Sequence, residues 1–402
     1  MRQKGMSRRA FVIKSTVGLM AAGMGVHPAR MCGAETAGSP KIVYRNLGRT
    51  ELRVPLVSFG VMNSDSPDLI HRALDLGINH LDTAHVYLRG NSEKAIGKIL
   101  EERGCRDKVY VATKMLFNRD KQKNIFVRQG RGKYAGATAD NFHKQLAESL
   151  KRLRTDYVDI LYLHSCHGAG MADYEPMLKV FVKAKESGQA RFIGVSTHAN
   201  EAETIRAAVD TGVWDVILTA FNFLQDHRDD VKEAIQYATD KGLGVIAMKT
   251  QGGVHLNRDK KVEVNHAAAL KWVLQDHNVC TTIPGITTFD QLYLDVGVMG
   301  GLSLSEEEKR DLEISSLTRG HLYCQQCRHC VPSCSHNVEI PTLMRAFMYA
   351  AGYGNLAQAQ LTIDGVPPEH GLSRCRDCAS CTAACHNGID IRERLEILRA
   401  IG

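Results

Sequence analysis

The chain has 402 residues, 44% of them hydrophobic and 24% charged, which is enough for one barrel of about 250 residues plus an appendage. Its formal charge of +7 is concentrated at one end: residues 1–34 hold Arg2, Lys4, Arg8, Arg9, Lys14 and Arg30 and no acid, leaving 45 bases against 44 acids in the remainder. That balance gives nucleic-acid binding no electrostatic support, and no stretch reaches the roughly twenty apolar residues of a membrane span.

At the N-terminus, Ser7-Arg8-Arg9-Ala10-Phe11-Val12-Ile13-Lys14 precedes a modest apolar run from Ser15 to Val26. Paired arginines, a following Phe and a weakly apolar core resemble a twin-arginine export signal over residues 1–34, with cleavage after Ala34 in Cys32-Gly33-Ala34. A disordered basic tail is the alternative. The signal implies a mature protein in the periplasm or otherwise outside the cytoplasm.

From Lys41 to about Leu317, short apolar runs alternate with longer amphipathic ones. Strands are predicted at Leu56–Gly60, Ile78–Thr83, Val109–Thr113, Tyr157–Leu163, Phe192–Val195, Val216–Thr219, Gly244–Met248 and Thr281–Pro284. Helical patterns follow, as at Asn141–Arg154, Tyr174–Ser187, Glu201–Thr211, Asp229–Lys241 and Val264–Asp276. Strands apolar on both faces and separated by helices predict a parallel sheet, and eight repeats predict a closed α/β barrel, a (β/α)8 TIM barrel over 41–317.

Four polar residues end or follow these strands: Asp82, Tyr87, Lys114 and His164. Ligands bind at the carboxyl ends of such strands, so the four are predicted to meet there. Together they suit proton delivery to a carbonyl that receives a hydride. A free tyrosine, with pKa about 10, donates poorly at neutral pH; an adjacent ammonium, itself held by a carboxylate, is expected to lower that value. A neutral imidazole can then orient the substrate oxygen.

The order Asp-Thr-Ala-x-x-Tyr, Ala-Thr-Lys and a strand-final His resembles the aldo-keto reductase superfamily of nicotinamide-dependent barrels. The resemblance implies Tyr87 as general acid, Lys114 and Asp82 as its tuners, and His164 as carbonyl orienter. It also implies cofactor contacts at Ser196, Thr197, Leu218, Met248, Lys249, Gly285 and Gln291. Thr197 stands where the family usually has Asn, Leu218 where it has Gln, and Met248 where an aromatic stacks on the nicotinamide. Gly285 and Gln291 replace residues that usually meet the 2′-phosphate, leaving NADP and NAD both open, and Lys249 is read either as a phosphate contact or as a solvated lysine. An insertion from Met115 to Thr138, with six Lys or Arg against Asp120 alone, reads either as a lid attracting an anionic or polyhydroxylated substrate or as a solvated loop. His164 and His167 do not make a metal motif.

The remaining chemistry is sulfur. Cys324-x2-Cys327-x2-Cys330-x3-Cys334 recurs 51 residues later as Cys375-x2-Cys378-x2-Cys381-x3-Cys385, and Val338-Glu339-Ile340 recurs as Ile389-Asp390-Ile391. This duplication resembles the two-[4Fe-4S] ferredoxins. The resemblance implies Cys324, Cys327, Cys330 and Cys385 on one cluster and Cys375, Cys378, Cys381 and Cys334 on the other. The 40 residues between the motifs, with Leu343, Phe347 and Ala350 on one helical face, predict a helical ferredoxin-like domain over 318–402. Disulfides and zinc are the alternatives; Cys32, Cys105, Cys166 and Cys280 read as ordinary buried thiols.

The functional expectation is an exported oxidoreductase acting on a small carbonyl or alcohol with NAD(P)(H) and two [4Fe-4S] clusters. Nicotinamides move hydride whereas clusters pass single electrons, and no flavin motif joins the two. The alternative is therefore a cluster-dependent electron-transfer or docking protein, whose barrel binds a ligand or redox protein partner without free nicotinamide turnover.

Overall fold

The computed structural model describes residues 41–402 except 133, 253–263, 320–321, 379 and 402. The export signal read over 1–34, and Cys32 with it, lie outside the described residues.

Eight parallel strands form one sheet: β1 (Phe59–Gly60), β2 (His80–Asp82), β3 (Tyr110–Met115), β4 (Val158–Cys166), β5 (Ala190–Thr197), β6 (Val216–Ala220), β7 (Gly244–Met248) and β8 (Thr281–Thr282). They follow one another in chain order around the sheet, and parallel bridges Val57 to Thr282 and Gly60 to Gly285 join the last strand to the first. Each predicted strand is present. The eighth is regular over two residues only, beyond which Gly60 N still donates to Pro284 O at 3.1 Å. The fourth runs past its predicted end through an irregularity between Leu163 and Cys166, where Ser165 takes φ 60°.

Helices α1 (Pro67–Asp75), α2 (Asn91–Arg103), α3 (Ala139–Leu153), α4 (Glu175–Glu186), α5 (Glu201–Asp210), α6 (Arg228–Asp240), α7 (His266–Leu274) and α8 (Phe289–Gly297) surround the strands. Helix α3 shows why the sequence folds this way. Thr138 caps it by accepting from Asn141 N at 3.4 Å, and Phe142, Leu146, Leu150 and Leu153 recur at helical spacing to bury one stripe. Arg154 ends it in the left-handed conformation.

The amino end of the barrel is closed by an antiparallel hairpin, Tyr44–Asn46 with Arg53–Pro55. Its Leu47, Leu52 and Val54 pack into the barrel interior against Ala112, Ile160, Tyr162, Leu218 and Ile246. The hairpin turn lies so close to β7 that a side chain at Gly48, where φ is +54°, would meet Gly244 N at 2.2 Å. With that end plugged, solvent access is left to the carboxyl end.

After α8, helix α9 (Glu306–Arg319) packs on α7 through Lys271 to Glu308 at 2.6 Å and Asn265 to Asp311 at 2.9 Å. The cysteine-bearing region is helical, with α10 (Ile340–Phe347) running into a π-turn at Met348–Gly352, then α11 (Leu356–Asp364) and α12 (Ile391–Ile401). Helices α10 and α12 begin at the repeated Val338-Glu339-Ile340 and Ile389-Asp390-Ile391. Leu343, Phe347 and Ala350 face one core with Leu395 and Leu398, as the periodicity predicts.

This region sits on the carboxyl end of the barrel. Asn355 donates to Met62 O at 3.0 Å, Gln325 to Leu224 O at 2.8 Å and Arg345 to His198 O at 3.0 Å. The Met115–Thr138 insertion completes the seat: it forms a hairpin, Arg119–Asp120 with Ile125–Phe126, buries Phe117 and Phe126, and donates Tyr134 OH to Leu361 O at 2.8 Å. A Cβ on Gly365 would lie 2.6 Å from the Tyr134 ring. Of the two readings of the insertion, the solvated loop is therefore set aside for a packed wall.

Candidate functional site

Between the barrel and the helical region lies a cavity of about 320 Å³, lined by Asp82, Tyr87, Lys114 and His164 together. Asp82 ends β2, Lys114 and His164 lie near the ends of β3 and β4, and Tyr87 follows β2 on a short turn. Lys114 Nζ donates to Asp82 Oδ1 and, at 2.6 Å, to Thr83 O. It stands 4.9 Å from the centroid of the Tyr87 ring, and that ring meets His164 edge-on at 5.8 Å between centroids. His164 Nδ1 and Asp82 Oδ2 have no hydrogen-bond partner.

Burial opposes both charges of the Lys114–Asp82 pair, pushing the carboxyl up and the ammonium down while each partner holds the other. Burial also holds His164 well below the usual imidazole value, with Lys114, Arg119 and Lys249 adding to it, so the ring is neutral at pH 7. Tyr87 departs from expectation. Its phenol is pushed well above the usual value, first by burial and then by the Asp82 carboxylate and Tyr349, because the Lys114 charge is committed to Asp82. The phenol is therefore a firmly held proton and not a tuned phenolate.

Four further histidines, three buried and His85 half-buried, share this neutrality: His80 is pushed to about 3 and His85 to about 4, and His167 and His198 lie well below their usual value, desolvation being the first cause in each. Below pH 6.5 the unfolded chain takes up protons that these five rings refuse, so their stabilisation is complete above 6.5 and is lost as pH falls toward the folded values. Asp82, Glu93 and Asp295, whose carboxyls burial pushes up (Asp295 to about 7), act in the opposite sense. The five rings outnumber the three carboxyls, so stability falls as the pH drops below 6.5. Denaturant midpoints at pH 6.5 and 5.5 should differ accordingly; equal midpoints would show that the rings are protonated in the fold.

Of the implied cofactor contacts, Ser196, Met248, Lys249, Gly285 and Gln291 line the same cavity. Ser196 Oγ accepts from Ser165 N at 2.9 Å, Gln291 Oε1 accepts from Thr287 N at 2.8 Å, and a Cβ on Gly285 would intrude to 2.7 Å from Asn63 Nδ2. Gly285 thus keeps that part of the rim open to the close approach of a cofactor. Lys249, read as either a phosphate contact or a solvated lysine, lines the cavity wall, its ammonium held well below the usual value by burial and by Arg345. Thr197 and Leu218 do not reach the cavity. Strand alternation turns Thr197 outward, where it donates to Ala199 O at 2.9 Å and to Thr204 Oγ1 at 3.5 Å. Leu218 points inward but one layer lower, buried among Leu47, Leu52 and Val54.

The cavity also holds side chains outside the predicted set. Ser165 and His198 come from β4 and just past β5, and Thr342, Arg345, Tyr349 and Tyr353 come from the helical region. His198 shares the inward parity of Ser196, and Arg345 is a lone guanidinium inside the otherwise apolar run of α10; both signals were present in the sequence.

The cysteines gather in the crossed sets that the ferredoxin resemblance implies. Cys324, Cys327, Cys330 and Cys385 line one cavity, and Cys334, Cys375, Cys378 and Cys381 line another. Gln326 and Arg328, with φ 59° and 64°, turn the chain around Cys327. Burial and the neighbouring thiols of its own set push Cys330 up to about 12; burial, Cys334 and Cys378 push Cys375 up to about 11. Four gathered sulfurs are costly to ionise without a cationic core among them, so the donor sets fit iron–sulfur cubanes. Among the described residues no cysteine is in a disulfide, and no three metal-binding side chains converge as a single ion requires. Cys105, Cys166 and Cys280 are buried, as expected.

Residues 58–266 match the aldo/keto reductase family, and residues 323–389 match a 4Fe-4S dicluster domain. Versiconal hemiacetal acetate reductase of Aspergillus parasiticus is 30% identical over 50% of this chain and 65% of its own length. L-galactose dehydrogenase of Arabidopsis thaliana is 31% identical over 52% and 65%. The chain thus spans about 65% of the length of these two relatives. L-glyceraldehyde 3-phosphate reductase of Escherichia coli O157:H7 is 25% identical over 67% of this chain and 91% of its own. In fold, the chain is similar to the holo form of an aldo-keto reductase of Bacillus halodurans, with TM-score 0.56 at 23% identity, over 68% of this chain and 96% of that one.

Proposed function

The chain belongs to the aldo/keto reductase family, and on that premise we propose that it transfers hydride between a nicotinamide nucleotide and a small carbonyl or alcohol, Tyr87 giving or taking the proton. The observation that carries this reading is the buried Lys114–Asp82 pair set beside Tyr87, across from a neutral His164, in one cavity with Ser196, Gly285 and Gln291.

When bound, the nucleotide supplies or accepts the hydride. Tyr87 keeps its proton until the substrate oxygen gains charge; an alkoxide is far more basic than a phenolate, so the raised value of the phenol still lets the proton pass. His164 donates from its neutral ring to the same oxygen and fixes its direction. Lys114 and Asp82 set the position of the phenol. Thr342, Tyr349 and Tyr353 close the cavity from the helical side and exclude water. Gly285 and Gln291, with the Asp290 carboxylate on the same rim, favour NAD(H) over NADP(H). Relatives named for L-galactose and for L-glyceraldehyde 3-phosphate support a hydroxylated carbonyl as substrate.

The eight cysteines would hold two [4Fe-4S] clusters, which supply one-electron transfer or rigidity. In this reading they hold the helical wall over the cavity in a protein exported already folded through its twin-arginine signal. A second reading, electron delivery between cluster and barrel, is favoured by one feature: Gln326 bonds Cys324 Sγ at 3.2 Å and Arg345 at 2.6 Å, and Arg345 bonds His198 at 3.2 Å.

Deuterium separates the two. The anaerobic holoprotein is given NADH deuterated at C4, one face at a time, with DL-glyceraldehyde. One face should deliver its deuterium to the new carbinol carbon, with the cluster absorbance constant and NADPH the poorer donor. Solvent hydrogen on that carbon with bleaching of the clusters would establish the electron-transfer reading instead.

A further inference from the structure

The cavity is electrically lopsided. On the rim after β8 stand Asp290 and Asp295; at the opposite end, where the insertion meets α10, stand Arg119, Lys121 and Arg345. Arg119 is 8% exposed, and its Nε and Nη1 have no hydrogen-bond partner. Lys121 is 6% exposed and has no carboxylate within ion-pair distance among the described residues. Arg345 is held by neutral groups only: the His198 ring at 3.2 Å, His198 O at 3.0 Å, Gln326 Oε1 at 2.6 Å and the His167 ring at 3.5 Å.

The acids that could neutralise these charges are engaged elsewhere. Glu339 takes both guanidinium nitrogens of Arg328 at 2.8 Å, Asp82 holds Lys114, and Asp120 accepts from Gln122 N and Lys123 N at the turn of its own hairpin. A buried cation without a counterion is costly, and three gathered on one wall repel one another. Burial and that repulsion hold the Lys121 ammonium well below its usual value. The cost is recovered when an anion enters.

We propose that Arg119, Lys121 and Arg345 form a subsite for an oxyanion carried by the substrate, a carboxylate or a phosphate, so that the enzyme acts on anionic hydroxy-carbonyl compounds. The subsite rests on the reductase reading for the chemistry but not for the binding. Its residues come from two distant segments, the insertion and the cluster-bearing helix α10, so recognition of the anion requires the helical region to be seated on the barrel. Of the nucleotide contacts, Gly285 and Gln291 follow β8, away from the insertion and α10, while Lys249 lies near enough to Arg345 to feel its charge.

The test compares pairs that differ only in the anion, D-glucuronate with D-glucose and DL-glyceraldehyde 3-phosphate with DL-glyceraldehyde, using the holoprotein and NADH. The anionic member of at least one pair should have the higher kcat/KM by about 100-fold, and Arg119→Gln should reduce that ratio at least about tenfold, chiefly through KM. A ratio near one, or a ratio unchanged in the variant, overturns the subsite. Binding is read separately from the melting shift caused by inorganic phosphate. A shift that disappears in Arg119→Gln while no pair turns over keeps the subsite and discards the reductase reading; phosphate that competes with NADH assigns the cations to the nucleotide and overturns it. Arg119→Met should raise the melting midpoint of the ligand-free protein by a few degrees, about the effect of relieving one unpaired buried charge. A lowered midpoint would make Arg119 a structural cation and overturn the proposal.

Discussion

Tyr87→Phe is expected to lower carbonyl reduction by about 10²–10⁴-fold, the range for removal of a positioned general acid. The ring is retained, so its edge-on contact with His164 and its packing beside Lys114 persist, and nucleotide affinity and cluster spectra should not change. The loss should fall on kcat at every pH, because burial keeps the wild-type phenol protonated across the neutral range. Rates measured with NADH on a carbonyl that the wild type reduces decide the matter. Turnover within about threefold of wild type would remove Tyr87, and with it the four-residue assignment, from the chemistry.

The second large effect concerns the clusters. Cys324→Ser should lower the iron content by about half and reduce kcat/KM for an anionic carbonyl by tenfold or more, even though hydride transfer uses no cluster electrons. The path is physical: Gln326 touches Cys324 Sγ, Pro341 O and Arg345, and Arg345 reaches the His198 backbone and ring on the cavity wall. Loosening the first sulfur set therefore frees the guanidinium that closes the cavity. Cys378→Ser, in the set lined by Arg392, Leu395 and Arg399 and away from that path, should lose a similar amount of iron with a smaller loss of turnover. Iron analysis and kinetics on both variants check this. Equal losses would mean that the helical region unfolds as a unit, and no loss in either would disconnect the clusters from the barrel site.

Much of this arrangement follows from local pattern. Most barrel strands carry an apolar run on both faces, and such runs separated by amphipathic helices have few packings other than a covered parallel sheet. Asp82, Lys114 and His164 end such runs, which places them at one end of the barrel without any knowledge of distances. The crossed cysteine sets were legible through the resemblance to two-[4Fe-4S] ferredoxins, which implies that each motif's fourth cysteine joins the other set, and the structure gathers them that way. Thr197 and Leu218 show where positional analogy stops: one is turned outward by strand alternation and the other lies a layer below the cavity floor.

Local periodicity therefore carries the barrel and the polar residues at its carboxyl end, and the ferredoxin resemblance carries the two sulfur sets. How the helical region and the insertion close over the barrel emerges from long-range packing alone. That seating brings Arg345, Tyr349 and Tyr353 beside Tyr87 and His164, which lie more than 170 residues earlier in the chain. It also decided that the Tyr87 phenol is raised and not lowered, because the sign of a pKa shift depends on burial and on which partner already holds the neighbouring charge, and neither is written in local sequence.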